Sequence, residues 1–401
     1  MALIVTPEST QPKIVVLGGT KDSASQPMED YRLLVSEVQG RALAIGTRFY
    51  ESFWQPLETA LGTARRIYLS ADGVLNQVSL GVVPRDDGKL LMEAYDLRIV
   101  TSTKDLLRSI HPSASNNALL VGNPQFLLSP EQQRAAVARP RSPGGQQEAV
   151  LKASGPDPSA TLRSATLAVR GGCDPSPPQG GVLCPLPATA VELQTIALLL
   201  RARNWQVAVE QRENALEEVV KAAQHPRVLH LSTHGFFLSD RQVKRNQSAL
   251  GQPAGLEDPM LRSGLFFAGA DRVLGGDPPL AGADNGVLTA YEAATLNLQG
   301  TELVVLSACE TGLGQTQAGE GVFGLRRALQ EAGAESVLMS MWSVTDRETE
   351  ELMTQFYKNW LSGMTKPDAL RNAQMTERDR VRKHYGKDLP YYWGAFVLVG
   401  R

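Results

Sequence analysis

The chain has 401 residues, 42% hydrophobic and 20% charged, with 40 basic against 42 acidic side chains and a formal net charge of -2. This is the composition of a globular protein able to fill a core, and the length allows two ordinary domains or one large α/β domain with insertions. No basic surplus signals a nucleic-acid backbone as partner, the stretch Met1 to Thr6 lacks the positive start of a secretory signal, and no apolar run nears the ~18 residues of a membrane span. Three cysteines at irregular spacing, Cys173, Cys184 and Cys309, argue against a disulfide framework and for a reducing, cytoplasmic home.

In chain order, Lys13 to Gly18 reads as a short strand. A helical pattern follows through Leu33, Leu34, Val38, Leu43 and Phe49 to the break at Gln55-Pro56. Short apolar runs at Arg66–Ser70, Leu97–Thr101 and Ala118–Gly122 read as strands. Residues 1–127 thus form an N-terminal α/β half. From 128 to 187 the density of Pro, Gly and Ser leaves too little apolar surface for a core, so this stretch reads as a flexible linker or insertion. Cys173 and Cys184 fall inside it, which makes them poor catalytic choices.

Order returns at 188. Thr189-Ala190-Val191-Glu192 has the form of a capping box, with Leu193, Ile196, Ala197 and Leu200 continuing a helical face. The strand Gln206–Val209 and a helix near 214–223 come next. The strand Arg227–Thr233 then leads into His234, and a polar, Gly-rich loop runs to about Asn285. A helix near 289–296 precedes the strand Glu302–Ser307, which leads into Cys309. A helix over 321–332, the strand Ser336–Met341 and an amphipathic helix through Leu352, Met353, Phe356, Tyr357 and Trp360 follow. The run Tyr391-Tyr392-Trp393 reads as an anchor for a last strand. Strands alternating with helices predict a mostly parallel sheet flanked by helices.

Functional groups of such sheets gather at the carboxyl ends of strands. His234 and Cys309 each sit just past such an end, and they become neighbours if their two strands are adjacent. A thiol beside a neutral imidazole can pass on its proton and attack a carbonyl as the thiolate. Gly235 lets its N–H approach that carbonyl, and with the N–H of Cys309 it could hold the oxyanion. The plain alternative for Cys309 is a buried small hydrophobe. His230 lies ~13 Å along the strand from His234, so the two cannot share a metal, and zinc would need more ligands than His234 and Cys309 provide.

The segments Leu229-His230-Leu231-Ser232-Thr233-His234-Gly235 and Val304-Val305-Leu306-Ser307-Ala308-Cys309-Glu310-Thr311-Gly312 resemble the CHAT domain, a caspase-like domain associated with tetratricopeptide repeats. Gly319-Glu320-Gly321-Val322-Phe323-Gly324-Leu325, Met341-Trp342-Ser343-Val344-Thr345-Asp346 and Tyr392-Trp393-Gly394-Ala395-Phe396-Val397-Leu398 agree with it. The resemblance is strong over 188–401 and weak over about 30–125; the Trp342 to Asp346 segment is also similar to separase. It implies a caspase–hemoglobinase fold whose N-terminal half is a degenerate copy and whose catalytic domain is 188–401. It further implies a cysteine endopeptidase with Cys309 as nucleophile, His234 as base and acid and Gly235 as an oxyanion donor, with no cofactor.

Caspases proper carry Gln-Ala-Cys-x-Gly with the His ~50 residues upstream. Here Ser307-Ala308 precede the cysteine and the gap is longer, so a preference for Asp is not transferred. Asp346 is either a helix cap or an acidic pocket floor that favours Arg or Lys before the cut. Glu310 is a turn or site-wall residue, and Trp342 a groove or core residue. An acidic pocket would make Arg139, Arg141, Arg163 or Arg170 in the linker candidate self-cleavage points; the plainer alternative is a solvated, unprocessed linker. Protein or peptide substrates are the expected partners. No repeats are present in the chain, so regulation would come from another segment or chain. An interaction module and a small-amide hydrolase are the competing readings; the long loop after Gly235 suits an extended peptide groove better than a closed pocket.

Overall fold

The computed structural model describes residues 1–18, 25–36, 43–107, 115–139, 182–238, 258–308, 320–342 and 346–400. Runs such as Val228–Ser232 and Leu303–Leu306 are buried at every position, as strands covered on both faces must be. The strands are β1 (Ala2–Ile4), β2 (Lys13–Val15), β3 (Arg66–Leu69), β4 (Asp96–Ile99), β5 (Asn117–Pro124), β6 (Gln206–Arg212), β7 (Val228–Ser232), β8 (Gly235–Phe237), β9 (Ser263–Phe266), β10 (Val287–Thr289), β11 (Leu303–Leu306), β12 (Ser336–Ser340) and β13 (Phe396–Gly400).

Eight of them form the central sheet, in the order β3-β4-β13-β12-β11-β7-β5-β6. The five strands from β6 to β12 are mutually parallel, whereas β13 runs antiparallel to β12 and carries β4 and β3 with it. The expected mostly parallel α/β sheet is therefore present. From β5 the chain moves outward to β6, then returns to β7 on the other side of β5 and continues to β11 and β12. This reversal makes a crevice beyond the carboxyl ends of β5 and β7, where ligands of open α/β sheets bind.

Helices cover the sheet. The Pro187–Arg201 helix buries Leu193, Ile196, Ala197 and Leu200 and packs against the Asp346–Leu361 helix, which in turn meets the Lys366–Tyr385 helix. Ser79 joins the N-terminal helices to the C-terminal segment: its N–H donates to the Tyr31 hydroxyl (2.8 Å) and its hydroxyl donates to the Gly394 carbonyl (2.8 Å). A Cβ at Gly394 would meet Val82 at 2.3 Å.

Three expectations are revised. Strands β3, β4 and β5 of residues 1–127 belong to the same sheet as the strands after 188, so the two parts share one core. Pro130–Ala138 is a helix, capped by Ser129 with Gln132 bonding back, and Val182, Leu183 and Leu186 are buried; both ends of the expected linker are thus built into the fold. The loop expected after His234 contains β8, β9 and most of a separate three-stranded antiparallel sheet, ordered β10-β9-β8. Short strands separated by glycines left too little periodicity to be seen.

Candidate functional site

β7 ends at Ser232, and the chain turns out of the main sheet through Thr233 and His234 into β8. The Thr233 hydroxyl donates to the Phe266 carbonyl, and the Phe266 N–H donates to the His234 carbonyl (2.9 Å). Four positions on, the Leu238 N–H donates to the Arg262 carbonyl (2.8 Å). Gly235 is paired with Leu265. In an antiparallel ladder this alternation makes Gly235 a non-hydrogen-bonded position, with its N–H turned away from β9. The small sheet is itself closely packed: a Cβ on Gly264 in β9 would lie 2.5 Å from the Leu288 carbonyl oxygen of β10.

His234 is only 8% exposed. Its ring stacks on Phe126, just beyond the end of β5, with centroids 5.3 Å apart. Nε2 lies 2.9 Å from the Cys184 carbonyl oxygen. A carbonyl can only accept, so Nε2 carries the proton and Nδ1 holds the lone pair. Burial holds the imidazole below its ordinary pKa, and the Cys184 carbonyl offsets part of that by favouring the charged ring.

The carbonyl is kept in place by a small apolar cluster in which Val182, Leu183 and Leu186 join Phe126, Phe236 and Phe266. The Leu183 N–H also donates to Asp271 (2.9 Å). Cys184 had been set aside as a linker residue; it contributes through its backbone, a group that leaves no mark in a sequence. The spacing of the cysteines argued against a disulfide framework, yet Cys184 is disulfide-bonded. Cys173 and Cys309, the other two cysteines of the chain, lie outside the described residues.

β11 lies directly beside β7, parallel, with Leu306 opposite Leu231. One more bond, from the Ser307 N–H to the Leu231 carbonyl (2.9 Å), carries the pairing past the end of β11. The Ala308 carbonyl accepts from the Ser340 hydroxyl (2.6 Å). The strand adjacency on which the expected pairing of His234 and Cys309 depended is therefore met up to Ala308. Cys309 and Glu310 themselves lie outside the described residues.

Of the two readings of Trp342, groove or core, burial favours the core: it is 1% exposed, and its indole N–H donates to the Tyr391 carbonyl (2.9 Å). Asp346 is the first residue of the Asp346–Leu361 helix; its side chain lies outside what the structure describes. The Thr189 to Glu192 box is also revised. Pro187 starts the helix after Leu186, so Thr189 and Glu192 sit inside its first turns. Thr189 instead accepts the Asn123 N–H (2.9 Å) at the end of β5.

Glu192 turns into the sheet beneath the site. One carboxylate oxygen accepts from the hydroxyls of Ser232 (2.8 Å) and Ser307 (3.2 Å), and the other meets His230 Nε2 (3.1 Å). His230 Nδ1 is 3.1 Å from the Tyr357 hydroxyl, whose pKa is pushed well above the usual phenol value by burial and by the Glu192 charge. The phenol therefore stays a donor to Nδ1, and the ring's Nε2–H faces Glu192. His230 is thus structural, as expected.

Among the described residues no three His, Cys, Asp or Glu side chains gather to hold a metal ion, and no helix is long and apolar enough to cross a membrane. A polar cavity of about 440 Å³ lies between Glu58, Arg65, Arg85 and Tyr95 and includes none of the strand-end residues.

The model of the CHAT domain family matches residues 43–401, nearly the whole chain. The chain belongs to the CHAT domain family. It is 25% identical over 226 residues to human Tetratricopeptide repeat protein 28, a match covering 54% of this chain and 8% of that protein. The mouse protein of the same name is 30% identical over 115 residues, covering 28% of this chain and 4% of its own length. The matches thus span only a small part of these relatives.

Among solved structures, this CHAT domain is similar to the Arg specific cysteine proteinase gingipain R, with a TM-score of 0.42 and 10% identity over 92% of this chain and 69% of that one. It is also similar to a complex of the pro- and mature domains of RgpB from Porphyromonas gingivalis, with a TM-score of 0.41 and 9% identity over 96% and 77% of the two chains.

Proposed function

We propose that this CHAT domain is a cysteine endopeptidase working through Cys309 and His234. The carrying observation is the presentation of His234. Its Nε2–H is held by the Cys184 carbonyl, which leaves Nδ1 as base, on the strand adjacent to the one that leads into Cys309. In the reduced protein Cys309 gives its proton to Nδ1, and the thiolate attacks the scissile carbonyl. The N–H groups of Gly235 and Cys309 hold the oxyanion. The imidazolium returns the proton to the departing amine. Water, deprotonated by the same nitrogen, then releases the acyl group as a carboxylic acid and restores the thiol.

Asp346 opens the helix that follows β12, the strand on the other side of β11. It therefore belongs to the same end of the sheet, and we assign it the acidic pocket for Arg or Lys before the cut. Glu310 is assigned to the wall of that pocket.

A peptide-library digest tests the proposal. Wild type is expected to cut after basic residues and Cys309→Ala to cut nothing. Cuts that persist in Cys309→Ala would refute the nucleophile, and cuts by wild type without a basic preference would remove Asp346 from the pocket.

The burial of His234 favours a second reading, a protein-interaction module or an enzyme that must be opened by a partner. At 8% exposure the ring has little surface for a substrate. A wild-type protein that cuts no library peptide is the result this reading expects.

A further inference from the structure

A carboxylate on the buried face of an amphipathic helix is costly unless donors surround it. Glu192 is 2% exposed on the Pro187–Arg201 helix, between Leu193 and the rest of the apolar face. The proposed chemistry makes no use of it. Its donors come from the two strands that carry the site: Ser232 and His230 from β7, and Ser307 from the end of β11.

The placement of the two serines is what gives the carboxylate a role. Ser232 stands two residues before His234, and Ser307 two residues before Cys309. The β7–β11 ladder has its last pair at Leu231 and Leu306, with one further bond from the Ser307 N–H. Beyond that point the β7 chain turns away into β8, so backbone pairing no longer sets the distance between the strand ends. Glu192 Oε2 accepts from both serine hydroxyls at once and ties the two ends together. Its other oxygen is fixed through His230 to Tyr357 on the Asp346–Leu361 helix.

We propose that Glu192 is a positioning residue that sets the relative placement of His234 and Cys309. The inference rests on the dyad proposed above. Glutamine at 192 keeps the shape but has only one acceptor oxygen; with that oxygen on His230, the serine hydroxyls lose their shared charged acceptor and must turn round to accept from the amide, a weaker and differently directed tie. Replacing both serines by alanine cuts the tie from the other side and leaves the helix residue intact.

The test is the pH dependence of Cys309 alkylation by iodoacetamide, read by mass spectrometry of the Cys309 peptide in reduced, desalted protein. A thiol whose proton a neutral imidazole can accept reacts below the ordinary thiol pKa of ~8.5. The wild type is expected to show that acid-side reactivity and His234→Ala to lose it. Glu192→Gln and the Ser232→Ala/Ser307→Ala double variant are expected to lose about tenfold or more of it, in line with the ~100-fold cost of misplacing catalytic groups by 1 Å. At pH ~10, where any exposed thiol is ionised, all four proteins are expected to react alike.

A wild-type profile in Glu192→Gln and in the double variant overturns the inference while leaving the dyad standing. Altered rates at both ends of the pH range would reduce Glu192 to a packing residue and also overturn it. If wild type and His234→Ala behave alike, the dyad fails and the inference falls with it.

Discussion

Replacing His234 by glutamine is expected to lower kcat by about 10²–10⁴-fold, with KM and the thermal melting point close to wild type. Glutamine's side-chain amide can still donate to the Cys184 carbonyl, so the cluster around Phe126 keeps its partner. What disappears is the proton acceptor. Steady-state kinetics on any peptide found in the library digest, beside a thermal melt, separate the two effects; a variant that loses KM and melting temperature together would mark His234 as a packing residue.

The wild-type pH profile should carry the same signature. Burial lowers the His234 pKa, so the acid limb of activity is expected below the ordinary imidazole value of ~6.5. The sign for stability follows from linkage. The unfolded chain binds a proton at higher pH than the folded one, so this group's contribution is complete above ~6.5 and is lost as pH falls toward the lowered folded value.

The largest loss of stability is expected from Trp393→Ala. The side chain is fully buried, its indole N–H donates to Asp388 (3.1 Å), and the Arg378 guanidinium sits 5.7 Å from its ring. Arg378 is itself buried and bonded to Asp388 (2.7 Å). Alanine would leave both a cavity and a loosened ion pair, at a cost of about 3–5 kcal/mol. That is a large share of the ~5–15 kcal/mol that keeps a protein folded. Trp393→Phe keeps most of the ring and should cost about 1–3 kcal/mol through the unpaired Asp388 oxygen. Urea midpoints for the two variants check the order; equal midpoints would mean the ring volume is not what holds this corner.

Most of the parallel sheet was legible because its strands are covered on both faces. Val228–Ser232, Leu303–Leu306 and Ser336–Ser340 read as apolar runs, and the helices between them kept their period. Strand order was not legible. Nothing in the run Phe396–Gly400 says that it enters between β12 and β4, because pairing is decided by surfaces that exist only once the sheet is assembled. The strand end at which His234 and Gly235 stand was legible, and the strand leading into Cys309 lies beside that strand up to Ala308.

Glu192 was visible but misread, since Thr-x-x-Glu is a capping pattern wherever the helix begins at the threonine. Here Pro187 begins it sooner and turns the same carboxylate inward. The Cys184 carbonyl had no side-chain signal at all. Trp342 was open between groove and core, and three-dimensional burial decided it.

The position of β13 also bears on how the molecule comes together. β3 and β4 are made early, but among the described residues their strand pairing into the rest of the sheet runs through β13, the last strand of the described order. During synthesis β3 and β4 must wait, beside the growing β5–β12 block, for a partner of β4 that lies nearly 300 residues downstream. Such distant pairing is slow to close and leaves strand edges open in the meantime. The strand that completes the sheet therefore acts as a clasp, and residues 396–400 decide when the two ends of the chain become one structure.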